Sequence, residues 1–122
     1  MKLSHYNDIQ PYFTKDGSLI RELMHPDRQG NRLQSLAEAT VLAGTKTKLH
    51  RHQKTEELYY IAAGEGWMTL GDKSFLVAQG DTICIEPGTP HCIENKGQSD
   101  LKILCCCTPP YDHEDTDLRD ER

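Results

Sequence analysis

Short apolar runs separated by turn residues fill the chain from residue 36 to residue 107, and this pattern restricts the possible folds more than any other feature. The seven runs span residues 36–42, 57–63, 67–70, 74–77, 82–85, 91–94 and 101–107, and Gly, Pro, Asn or Asp residues follow closely after each. Short, regularly spaced runs are typical of an all-β sandwich or barrel, and no helical period of ten or more residues competes with them. The sequence predicts a small closed β-barrel or jelly roll in a single domain.

Length and charge exclude several classes of protein. The 122 residues are 36% hydrophobic and 27% charged, which fits one folded domain. The net charge is −5, of which residues 111–122 carry −4, so the nearly neutral remainder offers no basic footprint for nucleic acid. No apolar run approaches the roughly 20 residues of a membrane span, and the first residues lack the apolar run of a signal peptide. We therefore expect a cytoplasmic protein without nucleic-acid or membrane partners.

Three histidines are candidates for a metal site. In a strand, His50 and His52 point to one side and Arg51 to the other, so the two imidazoles can share one ion. His91 follows a rigid turn around Pro87 and opens a new strand that a barrel can bring beside the first two. The alternative is that the pair lies on a surface loop and His91 is unrelated to it.

Two adjacent glutamates, Glu56 and Glu57, begin the strand that follows the histidine pair. The alternation of Glu57 with Tyr59 and Ile61 favours Glu57 as a ligand, while Glu56 stays open as the alternative. Three imidazoles and one carboxylate suit one divalent transition metal: Fe, Mn, Co, Ni or Zn. Four protein ligands leave open positions, as in a reactive metal site.

The spacing of these residues resembles both cupin motifs. The first reads here Gly44, five residues, His50-Arg51-His52, four residues, Glu57, six residues, Gly64. The second reads Gly80, five residues, Glu86-Pro87-Gly88, two residues, His91, three residues, Asn95. Glu86 stands where the family usually has proline, and Pro87 beside it still stiffens the turn. The 15 residues between the motifs match the short spacing of small bacterial single-domain cupins, often labelled mannose-6-phosphate isomerase-like.

This resemblance implies a double-stranded β-helix, a conical jelly-roll barrel of two antiparallel sheets. It also implies metal-ligand roles for His50, His52, Glu57 and His91. Residues 36–110 would form the barrel, with residues 1–35 packing on it or swapping onto a neighbour. Residues 111–122 would be an acidic, solvated tail released by Pro109-Pro110. Such barrels commonly form homodimers, and Leu58 and Tyr60, which should face outward, would suit the interface.

Function is left open between three classes. The first is a dioxygenase using iron, and the second is an isomerase or lyase in which the metal acts as a Lewis acid. The second needs a base, for which Tyr59, a weak catalytic candidate, and Glu56 are the nearby groups. The third is a non-catalytic module that binds a small ligand or a metal. In each case the partner is a small molecule.

The last strand carries three consecutive cysteines, Cys105, Cys106 and Cys107. Alternation predicts that Cys105 and Cys107 face inward with Leu101 and Ile103. The simplest interpretation is that they are small apolar strand residues. A cysteine beside the metal could also be a ligand or an oxidation target if its thiolate were favoured.

Overall fold

The computed structural model describes residues 1–119, which form two antiparallel sheets around one apolar core. The strands are β1 (Tyr12–Phe13), β2 (Leu19–Met24), β3 (Ser35–Val41), β4 (His50–His52), β5 (Glu56–Ala63), β6 (Glu65–Leu70), β7 (Lys73–Ala78), β8 (Thr82–Ile85), β9 (His91–Glu94), β10 (Leu101–Thr108) and β11 (Thr116–Leu118). One short helix, α1, spans Pro26–Gln29, and two 3-10 turns span Tyr6–Asp8 and His113–Asp115. No helix within residues 1–119 is long and apolar enough to cross a membrane.

The strand order makes β4 and β9, which carry the predicted histidines, neighbours in one sheet, while β5 lies in the other. One sheet runs β1-β2-β3-β10-β5-β8 and the other runs β11-β4-β9-β6-β7. Each of the seven apolar runs is a strand, with bounds within two residues of those expected. The all-β, jelly-roll prediction is therefore confirmed. β1 and β11 were missed because two or three residues are too few to show an alternating pattern.

Alternating side chains from both sheets meet in the core. Ile61 on β5, Met68 on β6 and Ile93 on β9 are at most 1% exposed, and Leu101 on β10 is fully buried. Gly66 lies inside β6. A Cβ atom there would stand 2.9 Å from side-chain carbons of Ile93 and Leu101, so only glycine lets the sheets pack this closely.

The N-terminal segment extends the first sheet. Residues 19–24 form β2 and pair with β3 of the same chain. Arg21 points outward: its guanidinium lies 4.1 Å from the centre of the Tyr6 ring and donates to the carbonyl oxygens of Tyr6 and Ile9. The turn between β1 and β2, residues 14–18, reaches over the end of the barrel.

The C-terminal segment differs from the expected tail. After Pro110 the chain turns back, and β11 pairs with β4 in the register Thr116 to His52 and Leu118 to His50. Thr116 is 3% exposed. Its side chain hydrogen-bonds to His52 and to the carbonyl oxygen of Asp112, and its backbone pairs with β4. These bonds hold the segment against the barrel although the residues around Thr116 are acidic. Residues 116–118 therefore belong to the second sheet and not to a released tail, whereas Asp112, His113 and Glu114 are exposed; residues 120–122 lie outside the described part of the chain.

Candidate metal centre

The three predicted histidines come together between the sheets. His50 and His52 lie on β4, and His91 lies on the neighbouring β9, directly opposite His50 in register. Their ligand nitrogens lie within 4.8 Å of one another, and all three side chains are buried. Glu57 approaches them from β5 of the opposite sheet and is 5% exposed. The barrel thus brings into one cluster side chains that are as far apart in the sequence as His50 and His91, 41 positions.

Hydrogen bonds fix the protonation of each ring. The Nδ1 atom of His50 lies 2.8 Å from the carbonyl oxygen of Lys48, and that of His91 lies 2.9 Å from the carbonyl oxygen of Thr89. A carbonyl oxygen only accepts, so both Nδ1 atoms carry the proton. Each Nε2 atom of a neutral ring therefore turns a lone pair toward the cluster.

His52 reaches the same state through a hydroxyl group. Its Nδ1 atom lies 2.9 Å from Oγ1 of Thr116. That hydroxyl donates its hydrogen to the carbonyl oxygen of Asp112, 3.0 Å away, and so accepts from His52. In its neutral form each of the three rings therefore presents an unprotonated Nε2 atom, the form that a metal binds.

The separations of Glu57 from two of the histidines fit ligands of one ion. Nε2 of His52 lies 3.1 Å from Oε1 of Glu57, and Nε2 of His91 lies 3.6 Å from the same oxygen. With bonds of about 2.1 Å, two ligands at a right angle stand roughly 3.0 Å apart, and at a tetrahedral angle roughly 3.4 Å. Oε1 of Glu57 and Nε2 of His91 are buried without a hydrogen-bond partner. A cation between them would satisfy both atoms, so the residues present fit the expected metal.

Electrostatics keep the cluster in its binding form. Burial alone would raise the pKa of Glu57, but without a metal the N–H groups and positive charge of protonated His52 and His91 outweigh burial and hold its pKa well below the usual range; a bound cation would take over that role. Burial, with His91 beside it, lowers the pKa of His50 to about 4. Near neutral pH the site therefore offers an ionised carboxylate and a neutral His50, as a divalent metal requires.

The structure separates the two glutamates that the sequence left as alternatives. Glu57 faces the histidines, whereas Glu56 is exposed on the other side of β5. Cys107 lies beside Glu57 and its thiol donates to Oε2 over 3.4 Å. Burial, with Glu57 nearby, raises the pKa of Cys107, which disfavours the thiolate that a metal or an oxidant would need. The ligand role of Glu57 itself stays a prediction.

A small cavity of about 50 Å³ lies beside the cluster. Its apolar wall comes from Ile20, Ala37, Ala39 and Cys105, and Tyr59 lines it as predicted, with its ring 6.0 Å from that of His91. Burial, with Glu57 nearby, raises the pKa of Tyr59 well above its ordinary value. Tyr59 can therefore donate a hydrogen bond but is a poor base at neutral pH.

Two carboxylates in the cavity wall were missed by sequence reasoning. Asp16 comes from the turn between β1 and β2, and its Oδ2 atom lies 3.5 Å from Nε2 of His50. Glu22 on β2 is 5% exposed and its Oε1 atom has no hydrogen-bond partner. No spacing rule connects these residues to the histidines, because only the pairing of β2 with β3 brings them to the barrel end.

Outside this cavity lies an open groove of about 670 Å³. Glu22 and Tyr111 line both spaces, so they stand at the boundary between them. Helix α1 and the segment around Pro109 form part of the outer groove. The groove therefore adjoins the cavity beside the buried cluster.

Comparison with known proteins agrees with the fold and the motifs. The family model described as "Cupin domain" matches residues 37–107. The chain is similar to an uncharacterized protein of Methanocaldococcus jannaschii, with 57% identity over 94% of this chain and 92% of that protein. It is also similar to an oxalate-binding protein of Thermotoga maritima, with 34% identity over 70% of this chain and 67% of that protein.

A solved structure from Thermotoga maritima, described as a predicted oxalate decarboxylase, shares the architecture. Its TM-score is 0.76 at 26% identity, and the match covers 88% of this chain and 98% of that one. The matched family region contains His50, His52, Glu57 and His91 and extends over more than half of the chain. The resemblance read from the two motifs is thus confirmed, and this chain belongs to the cupin family.

Proposed function

We propose that this cupin is a metal-dependent enzyme that acts on a small molecule in the cavity beside His50, His52, Glu57 and His91. The observation that carries the proposal is the common orientation of three Nε2 lone pairs and one ionised carboxylate toward one point. A buried cluster of electron-rich atoms is costly without a cation. The cavity beside it has room for only a few water-sized groups, which sets the size of the substrate.

Among the reaction classes we favour a lyase or isomerase without net oxidation. A bound divalent metal would supply Lewis-acid polarisation of a substrate oxygen. Such reactions also need a group that delivers or removes a proton. Glu22 meets this need, because it is buried in the cavity wall with one oxygen unpartnered, and burial raises its pKa. Glu56, the earlier candidate, lies on the far side of its strand.

Small carboxylates are the first substrates to test. Oxalate appears in the names of two of the similar proteins, and it is small and binds metals through its oxygens. In a decarboxylation the bond to the departing carboxylate breaks, carbon dioxide leaves and the remaining carbon takes up a proton. Glu22 is the residue of this chain that we expect to supply that proton.

The test begins with elemental analysis of protein purified without a histidine tag or chelator. We expect about one equivalent of a divalent transition metal per chain. The loaded protein is then offered oxalate and other short carboxylates while carbon dioxide release and oxygen uptake are both measured. Carbon dioxide release without net oxygen uptake supports the proposal. Net oxygen uptake would favour the dioxygenase, and ligand binding without turnover would favour the non-catalytic module.

A pair of variants tests the role of Glu22. Glu22→Gln keeps the shape of the side chain and removes its proton exchange, so turnover should fall while metal content stays at the wild-type value. Glu38→Gln is the matched control, since Glu38 is a carboxylate on the neighbouring β3 that contacts Lys102 outside the cavity. Equal turnover in wild type and Glu22→Gln would contradict the assignment.

The homodimer and the cytoplasmic location expected from the sequence also remain proposals.

A further inference from the structure

The turn between β1 and β2 holds Asp16 by one carboxylate oxygen only. Oδ1 accepts three hydrogen bonds: from Oγ1 of Thr14 at 2.8 Å, from the backbone N–H of Ser18 at 2.9 Å and from Oγ of Ser18 at 2.7 Å. Two further backbone bonds close the turn, between Thr14 and Ser18 and between Gly17 and Thr14. Oδ1 is therefore saturated, and the direction of the whole carboxylate is fixed.

The other oxygen, Oδ2, points at the metal cluster. It lies 3.5 Å from Nε2 of His50, inside the range of 3.1 to 3.6 Å that separates Oε1 of Glu57 from Nε2 of His52 and His91. Asp16 is mostly buried, with a side chain 13% exposed. Glu57 thus approaches two of the three histidines and Asp16 approaches the third, so the two carboxylates flank the cluster from different sides.

The backbone of Lys48 ties the turn to His50. Its N–H donates to the carbonyl oxygen of Asp16 over 2.7 Å, and its carbonyl oxygen accepts from Nδ1 of His50. Because His50 carries its proton on Nδ1, the Nε2 atom that faces Asp16 is a lone pair. A carboxylate oxygen and the lone pair of a neutral imidazole nitrogen thus face each other, and a metal cation between them would make that contact favourable.

We propose that Asp16 is a fifth protein ligand of the metal, supplied by the N-terminal turn and additional to the three histidines and Glu57 of the family motifs. The inference rests on the proposed metal site. Two carboxylates would balance the charge of a divalent ion, and five protein donors would leave one position of an octahedral site for a substrate atom. A substrate that chelates through two oxygens then has to displace Asp16 or bind through one atom.

The experiment uses Mn²⁺ as the probe with the full chain, and compares wild type, Asp16→Asn, Asp16→Ala and Asp27→Asn. In Asp16→Asn the side-chain oxygen still accepts from the three donors in the turn. The amide NH₂ group then takes the place of Oδ2 and faces the metal. Asp27→Asn is the matched control, because Asp27 also lies beside a histidine, 3.7 Å from Nδ1 of His25, but is exposed. Affinity is measured by competition with a chelator, and metal-bound water by water-proton relaxation.

We expect both Asp16 variants to bind Mn²⁺ at least about tenfold more weakly than wild type. Water-proton relaxation by the bound ion should rise in both, because water takes the position that Asp16 leaves. Asp27→Asn should match wild type in both measurements. Unchanged affinity in both Asp16 variants would overturn the inference, and so would weaker binding without more bound water, since Asp16 would then act through its charge alone. Failure of wild type to bind metal would instead refute the proposed function.

Discussion

The hydroxyl group of Thr116 on β11 lies 2.9 Å from Nδ1 of His52 on β4, although 64 residues separate the two in the chain. The hydroxyl donates to the carbonyl oxygen of Asp112 and can therefore only accept from His52. This one contact fixes the tautomer of His52 and turns its Nε2 atom toward Glu57. A segment that reads as an acidic tail thus helps to build the candidate metal centre.

Replacing Thr116 should therefore weaken metal binding without touching a ligand. Thr116→Val keeps the shape of the side chain and removes the acceptor, so His52 loses the bond that orients it. We expect the affinity for Zn²⁺ to fall about ten- to a hundredfold. Thr69→Val is the matched control, because Thr69 shares its hydroxyl bond with Ser74 on the other end of the second sheet. A variant with wild-type affinity at position 116 would show that β11 does not orient His52.

The two neighbouring glutamates offer a second comparison. Glu57→Gln removes the carboxylate that contacts both His52 and His91, so metal affinity should fall by more than the roughly hundredfold typical of residues that merely orient ligands. Glu56→Gln changes the same group one residue away on the exposed side of β5 and should leave the affinity unchanged. Competition titration with a chelator measures both. Equal losses in the two variants would overturn the assignment of Glu57.

An apolar row on the outer face of the first sheet bears on the proposed homodimer. Leu58 is 41% exposed and lies in register between Cys106 and Cys84, and Tyr60 is 43% exposed beside Leu104. Wild type should sediment at about twice 13.9 kDa. The double variant Leu58→Glu with Tyr60→Glu should sediment as a monomer, because burying two carboxylates at an interface is unfavourable.

A control for that prediction comes from the second sheet. Leu76 on β7 is 60% exposed, and Leu76→Glu adds the same charge on a different face. We expect it to leave the sedimentation of the wild type unchanged. A monomeric wild type would contradict the homodimer, and a dimer that survives the double variant would exclude this face as its interface.

Much of the fold and part of the site could be predicted from the sequence because both depend on local rules. The alternation of Glu57, Tyr59 and Ile61 places all three inside, and the spacing of His50 and His52 places both rings on one side. Asp16 and Glu22 could not be found in this way. Their place at the cavity depends on the register of β2 against β3, which is a long-range pairing. Thr116 could not be predicted either, because its strand has only three residues and pairs with β4, which is distant in the sequence.

The lowered pKa of His50 predicts how the metal-free protein responds to acid. The folded state holds this pKa at about 4, below the ordinary value of 6.5, so the unfolded chain binds the proton more readily. The contribution of His50 to stability is therefore full above about pH 6.5 and is lost as the pH falls toward 4, up to about 3 kcal/mol in all. The lowered pKa of Glu57 acts in the same direction at still lower pH, and the raised pKa of Glu22 opposes it. Urea unfolding of chelator-treated protein between pH 4 and 7.5 measures this loss. As the pH falls, the free energy of unfolding should decrease more steeply for wild type and for the exposed control His5→Gln than for His50→Gln. Parallel curves for all three proteins would contradict the prediction.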